Sequence, residues 1–579
     1  MPIRTNCPEC QSAYNLNEAL AGKKVRCKAC GHAFLVTPAV DEALPAALRV
    51  TATPGAPAKG VPADMPKKAP DLAAPAAKKL AAPQRSRGRW MLWLSLALFG
   101  AFALLACYHK YLDAINAYFF ENRDVSLLEE LAAAKIVDEP EPLDTAWGQW
   151  RGARRDGVAF DRDILPDWPD GGPEKLWQAS CGRGYSSFAV FGGRAFTMAR
   201  EGNEEVVVCL GMGDGVPLWK FPYPCAYTNE QGSGPRSTPA LDREPRAALS
   251  AAAGPYARAA AVLPGDRLYT VGADGKFYCL DAATGKPAWQ EPHDLLAEFH
   301  ASNIQWGVAF SPLVEGGLVI TTPGGPGAAV VAFDKYTGEK KWASQDDKAG
   351  YSSPVAVTAA GRRQLLVFTA GALLSLSPND GSLYWRYPWS VTADVNAATP
   401  LVFHAEKDGK TLDYVFISSG YAKGCALLKL DADTQGTPAA RTVYTSKAVM
   451  ANHFATCVRR GDYLYGFNEA RLTCIDVKTG KKEWDESGFQ KGSLLRVGDD
   501  LIVLGEKGEL ALFEASPKAK VAGGSHARAR IEDVFKRHRP HCWTMPVLAD
   551  GKLLLRSADP DLRHADAEDE IVCLDLRKR

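Results

Sequence analysis

Residues 279–289 read CLDAATGKPAW, and the phrase returns at 474–484 as CIDVKTGKKEW. The run that leads into it, Lys276-Phe277-Tyr278-Cys279-Leu280, has the pattern of a strand. Asp-x-x-Thr-Gly then makes a turn, in which the aspartate accepts backbone N–H bonds and the glycine takes a positive φ. The tryptophan falls on the following strand, where its ring is large enough to dock between neighbouring sheets.

With Cys279 as reference, equivalents stand at Cys209, Ala332, Ser375, Lys429, Cys474, Leu512 and Cys573, giving eight copies. Glycine follows six positions later in five of them (Gly215, Gly285, Gly338, Gly381, Gly480), and tryptophan ten positions later in the same five (Trp219, Trp289, Trp342, Trp385, Trp484). The fifth copy (KLDADTQGTPA) and the seventh (LFEASPKAK) lack the tryptophan. Two further strands precede each copy, as in 352–357 and 364–368. Four strands per unit, repeated radially, predict an all-β, eight-bladed β-propeller over residues 146–579. The last copy stops after Ile571-Val572-Cys573-Leu574-Asp575 without an outer strand, while Glu174-Lys175-Leu176-Trp177 precedes the first copy and belongs to no unit. That strand is expected to complete the eighth blade and close the ring.

The reference cysteines are therefore architecture, since Ala332 and Ser375 fill the same place. Equivalent strands on different blades are too far apart for the ~5.5–6 Å Cα spacing of a disulfide, so they read as small buried thiols. Of the others, Cys181 and Cys225 each follow an outer-strand tryptophan on adjacent units, which leaves a bridge between them open.

The chain has 579 residues, a formal net charge of +1 and 14 cysteines, so global charge argues for no particular partner. Ahead of the propeller lie four segments. In residues 1–38, Cys7-x2-Cys10 and Cys27-x2-Cys30 have the spacing of a Zn2+ site with four thiolates and no open position, a structural metal. Residues 39–89 are rich in alanine, proline and lysine and cannot bury enough surface to offset ordering entropy, which predicts a disordered linker. WMLWLSLALFGAFALLACY, residues 90–108, carries no charge and at 1.5 Å per residue nearly spans a hydrocarbon core of about 30 Å. Trp90, Trp93 and Tyr108 suit the two interfaces. The basic residues before it (Lys78, Lys79, Arg85, Arg87, Arg89) predict a cytoplasmic N-terminus and an extracytoplasmic propeller. LLAC at 104–107 also has the form of a lipoprotein cleavage box, although cleavage there would discard the first 106 residues. Residues 109–145 are expected to be a helical stalk and linker, with Leu112, Ile115 and Phe119 at helical spacing.

CPEC…VRCKACGHAF resembles the prokaryotic zinc-ribbon family that opens many membrane proteins. Residues 147–579, with WGQWRG…DGV, GYSSP and LDxxTGKxxW, resemble pyrroloquinoline-quinone-type propellers, a group that includes quinoprotein alcohol dehydrogenases and the propeller lipoprotein of outer-membrane barrel assembly. For the dehydrogenases the resemblance implies a central quinone over a tryptophan, a Ca2+ held by carboxylate and amide, a catalytic aspartate and often a vicinal disulfide. This sequence has no Cys-Cys pair and no carboxylate set at the strand starts, which argues against pyrroloquinoline quinone as cofactor and against an enzyme.

The innermost strand of each blade begins near a Ser/Thr-Pro signal, so the residues just before it should crowd the axis. They are Tyr185, Arg236, Trp306, Tyr351, Asn396, His453, Lys491 and Trp543, an aromatic, basic and amide set suited to an anionic or planar ligand. No nucleophile–base–orienter arrangement is visible among them. The leading functional reading is a single-pass membrane protein whose extracytoplasmic propeller is a protein-interaction or ligand-binding scaffold. One alternative is a quinone- or sugar-dependent oxidoreductase. Another is a zinc-ribbon regulatory or nucleic-acid module tethered to a sensing propeller, although the basic residues of 1–38 read better as a solvated face than as a nucleic-acid surface.

Overall fold

The structure is a computed structural model. It describes residues 122–578 apart from 143–144, 163, 170, 244–261, 519–526, 536–540 and 559–568, together with four short strands nearer the N-terminus. Those strands form two antiparallel hairpins, Ile3–Asn6 with Ala13–Leu16 and Lys24–Arg26 with Ala33–Leu35. Cys7, Cys10, Cys27 and Cys30, the linker 39–89 and the apolar run 90–108 lie outside the described residues. Among the described residues, no helix is long and apolar enough to cross a membrane.

Eight sheets of four or five strands follow one another along the chain, antiparallel except for Val158–Ala159, which joins Ser493–Val497 in parallel. The eight reference positions all fall on the third strand of a blade. In four blades the reference residue faces its tryptophan on the fourth strand just before the register shifts: Cys209 faces Trp219, Ala332 Trp342, Ser375 Trp385 and Cys474 Trp484. The eighth blade is completed by Glu174–Cys181, which pairs with Asp569–Asp575 and sets Trp177 opposite Cys573. The ring is closed by the strand that belonged to no copy.

Why the Gly–Trp pair repeats is visible between blades. A Cβ on Gly285 would stand 2.5 Å from the Trp219 ring, and one on Gly338 2.9 Å from Trp289. The indole of one blade thus lies flat on the turn of the next. Its N–H donates to a carbonyl in that turn: Trp219 to Ala282 at 3.2 Å, Trp289 to Lys335 at 3.2 Å and Trp342 to Pro378 at 3.1 Å. The apolar core is accordingly a series of layers between adjacent sheets, each drawing on two or more blades.

Blade 5 shows what replaces a missing tryptophan. Its reference residue is Lys429, 5% exposed, a buried cation that needs a partner. The partner comes from helix α1, Val125–Ala133, whose Glu130 meets the Lys429 ammonium at 2.7 Å. Asp124 caps the helix by accepting from the Leu127 N–H, and Leu127 and Leu131 bury against Val443 and Tyr444. Tyr444 supplies the missing docking bond, its hydroxyl donating to the Val477 carbonyl at 2.9 Å. Lys135–Val137 then adds a fifth strand beside Leu401–Lys407. Over the described part of the segment expected as stalk and linker, residues 122–137 dock on blade 5, which lacks a tryptophan cover of its own.

The docked segment is fastened at His404. Its Nδ1 lies 2.5 Å from Asp413 Oδ1 and its Nε2 3.3 Å from Glu139 Oε1. Hydrogen bonding to these two carboxylates pushes the imidazole up to about 9 and holds Glu139 below the usual carboxylate range. A raised folded-state pKa gives stability that is complete below the unfolded value near 6.5 and lost as pH climbs through about 9. The melting temperature should therefore fall between pH 6.5 and 9.5. His404→Gln should flatten that slope by about 1–2 kcal/mol, allowing for solvent screening; an unchanged slope would show that another group carries it.

Candidate functional site

Each innermost strand is preceded by a loop that bends over the ring axis, and these loops wall a cup of about 390 Å³. Seven of the eight sequence-predicted residues line it: Tyr185, Arg236, Trp306, Tyr351, His453, Lys491 and Trp543. Asn396 does not. It is fully buried, its amide donating to the Thr369, Ala370 and Trp389 carbonyls and accepting from the Ser419 hydroxyl at 2.7 Å. It ties the blade 4–5 connection together, and Val395 and Ala397 on either side line the cup instead.

The walls are nearly continuous in aromatic rings. Tyr421 lies 4.4 Å from His453, Phe454 5.6 Å from Trp543 and Trp543 5.5 Å from Tyr185, while Trp306 and Tyr351 pair at 5.5 Å across the cup. Three of the rings are fixed by polar bonds. Tyr185 donates to the Gln231 carbonyl at 2.7 Å, Trp543 to Glu506 at 2.9 Å, and Tyr351 accepts from the Trp306 N–H at 3.2 Å. Burial pushes the Tyr185 and Tyr351 phenols up to about 12, so both stay protonated donors. Gly232, at φ 110°, lets the Tyr185 hydroxyl come in, since a Cβ there would stand 2.4 Å from it.

Two cations face this space. Arg236 is held by the Gly232 and Gly234 carbonyls at 2.6 Å each and lies over the Tyr185 and Tyr227 rings. Lys491 sits 3.3 Å from His453 Nε2. Burial, and then the Lys491 charge, hold the His453 imidazole below its usual value, so it is a neutral acceptor of the ammonium N–H at pH 7. Among the described residues neither Arg236 nor Lys491 makes an ion pair, and no aspartate or glutamate lines the cup.

The floor comes from the WGQWRG phrase. Trp150 lines both the cup and a small void beneath it that Arg151 also lines; its indole donates to Thr399 at 3.0 Å. Residues 147–161 reach every blade: Val190 and Leu241 donate to the Trp147 and Gly148 carbonyls, and Arg496 donates to Gly157. Arg155 donates to Ser311, Pro312 and Pro354, Arg151 to Thr456 and Cys457, and Gly551 donates to Asp161. Trp150, Tyr421, Phe454 and Met545 are among the cup residues that sequence reasoning missed. Phe454 could have been found beside His453, whereas Trp150 enters from a segment that precedes the repeats.

All nine propeller cysteines are free and buried. The Cys181–Cys225 bridge left open by the sequence is not formed. Cys181 packs in the layer around blade 8, while Cys225 sits beside Glu205 and Asp274 between blades 1 and 2.

Against known proteins, the family model described as outer membrane protein assembly factor BamB matches residues 203–486. A relative of that name from Burkholderia pseudomallei (strain K96243) is 25% identical over 264 residues, covering 38% of this chain and 64% of the relative. The match therefore spans less than two thirds of that relative's length. Two solved quinohemoprotein alcohol dehydrogenases share the architecture at a TM-score of 0.50. The Pseudomonas putida HK5 enzyme is 12% identical, with 76% of this chain and 83% of that chain covered. The Comamonas testosteroni enzyme is 13% identical, with 80% and 84% covered. The fold they share with this chain is a β-propeller. The dehydrogenase site does not follow from it: a cup without a lining carboxylate offers neither the ligands for a Ca2+ ion nor a base for an alcohol proton.

Proposed function

We propose that this propeller is a binding scaffold whose cup takes an anionic, planar group, displayed outside the cytoplasm by the apolar run 90–108. The carrying observation is charge composition. Arg236 and Lys491 face an aromatic enclosure that has no lining carboxylate. Half-buried cations without ion-pair partners gain from a ligand anion that meets them, and ring faces favour flat partners. The likeness to a relative named as an assembly factor supports a scaffold over an enzyme. Structural zinc on Cys7, Cys10, Cys27 and Cys30 is part of the same proposal, as an inner module that the anchor separates from the cup.

Pyrroloquinoline quinone, a flat tricarboxylate, and its uncharged trimethyl ester are suitable paired probes. Binding should quench tryptophan fluorescence, since Trp150, Trp306 and Trp543 line the cup. The ester should bind at least about tenfold more weakly, and Arg236→Ala and Lys491→Ala should each cost about tenfold. Equal affinity for acid and ester, or unchanged binding by both variants, would refute the reading. Alcohol-dependent reduction of a dye by the quinone-loaded protein would instead support the oxidoreductase.

A further inference from the structure

Between blades 1 and 2, Glu205, Cys225 and Asp274 converge so that their carboxylate oxygens and thiol sulfur all lie within 4.8 Å of one another. Each arrives on a different element. Glu205 opens the strand Glu204–Gly211, Cys225 follows the strand Pro217–Pro224, and Asp274 occupies the turn between Arg267–Val271 and Lys276–Asp281. Glu205 is fully buried and Cys225 is 2% exposed, while Asp274 is half-buried and gives the cluster its solvent edge. The Tyr223 hydroxyl donates to Glu205 Oε2 at 2.8 Å, and the Ala273 N–H reaches both of its oxygens at 3.2 Å. The carboxylate is thereby aimed before any ligand arrives. The backbone also leaves room: a Cβ on Gly272 would stand 2.4 Å from Glu205 Oε2, 2.8 Å from Tyr223 Oη and 3.3 Å from Asp274 Oδ1.

Burial pushes the Glu205 carboxyl up to about 7, so near neutral pH it carries only part of its charge. Among the described residues neither carboxylate makes an ion pair. The neighbouring cation Lys276 is paired with Asp294 at 2.6 Å. A second observation points the same way. Thr270 is fully buried and its hydroxyl has no hydrogen-bond partner. Strand alternation puts Thr270 on the same face as Gly272, the face that meets Glu205. An orphaned buried oxygen thus stands on the strand face that is turned toward this cluster.

We infer that Glu205, Cys225 and Asp274 form a binding site for a thiophilic divalent cation of the zinc class. One sulfur with two carboxylate oxygens is a donor set that Zn2+ accepts. Tetrahedral zinc with bonds of about 2.0–2.3 Å sets its donors roughly 3.3–3.5 Å apart, so the three need close by only about an ångström. The ion enters past Asp274, where a water completes the fourth position. Tyr223 acts on the ion only through Glu205, as a positioning residue. Cys225, and Glu205 in its protonated fraction, give up their protons to solvent on binding, so each proton released lowers by one the positive charge that the ion adds.

The test uses the full chain carrying Cys7→Ser, Cys10→Ser, Cys27→Ser and Cys30→Ser, so that the N-terminal thiols take no metal. After chelation and dialysis, titration with Zn2+ should show one equivalent bound, and Co2+ should give a sulfur-to-cobalt charge-transfer band. Adding Asp274→Asn, on the half-exposed turn, or Cys225→Ser should weaken Zn2+ binding by at least about a hundredfold. The cobalt band should vanish with Cys225→Ser. Both variants should melt like their parent in chelator and lose its zinc-induced rise in melting temperature. If the parent chain, with normal melting, binds no zinc, or if both variants bind it as the parent does, the site does not exist. A cobalt band that survives Cys225→Ser places the metal on another thiol and also overturns the assignment.

Discussion

Replacing Trp177 by alanine should lower the stability of the propeller by about 3–5 kcal/mol, as much as Trp289→Ala, although residue 177 precedes every repeat. The two indoles are 8% and 5% exposed. Each lies on the turn glycine of the following blade, Trp177 on Gly215 and Trp289 on Gly338. Each also donates to a carbonyl there, Trp177 to Met212 at 3.1 Å and Trp289 to Lys335 at 3.2 Å. The consequences differ in one respect. Trp289 joins neighbours that the chain already connects, whereas Trp177 stands on the strand that pairs the N-terminal part of the ring with Asp569–Asp575. Loss at 177 should therefore also loosen the last blade, and hydrogen exchange at Ile571–Leu574 should rise well before global unfolding. Deletion of residues 146–178 should go further and expose a bare strand edge, seen as aggregation. Thermal or denaturant melting of both alanine variants decides the matter. A silent Trp177→Ala beside a severe Trp289→Ala would mean that the closing strand contributes no stability.

The sequence revealed what repeats and obscured what occurs once. Strand, turn glycine and docking tryptophan recur at fixed offsets, so a weak local signal is read several times over, and the closing strand was found because it matched that template. The cup followed from the same logic, one loop per blade before each innermost strand. It failed at Asn396 because position alone does not say whether a side chain faces the axis or turns back to satisfy buried carbonyls. Helix α1 was read as stalk although Lys429, a charge at a place otherwise held by cysteine, alanine, serine or leucine, already signalled a partner from elsewhere. Trp150 could not be placed at all. Its role depends on a segment threading the ring, and no periodicity encodes that contact.

That thread makes the second large prediction, which concerns three arginines within five residues. In RGARR, residues 151–155, nothing in the sequence separates Arg151, Arg154 and Arg155. The structure separates them completely. Arg155 is 3% exposed and donates to Pro354 at 2.9 Å, Ser311 at 3.3 Å, Pro312, and Gln149 at 2.9 Å. Arg151 is 2% exposed and spans to Cys457 at 2.9 Å and Thr456 at 3.3 Å. Burial pushes both guanidiniums below their usual range, and carbonyl dipoles rather than carboxylates surround them. Arg154 instead is part-buried and pairs with the Asp156 carboxylate at 3.0 Å. Arg155→Met keeps the volume and removes every donor, stranding three carbonyls at the heads of blades 3 and 4. It should cost about 3–5 kcal/mol, whereas Arg154→Met should cost at most about 1 kcal/mol. Because Trp150 rests on the same turn, Arg155→Met should also weaken probe binding in the cup at temperatures where the ring is still folded. Melting curves and the fluorescence titration together test this. Equal, small losses at 154 and 155 would mean that the thread merely lies in the ring and does not brace it, and the floor of the cup would have to be held by the Trp150–Thr399 bond alone.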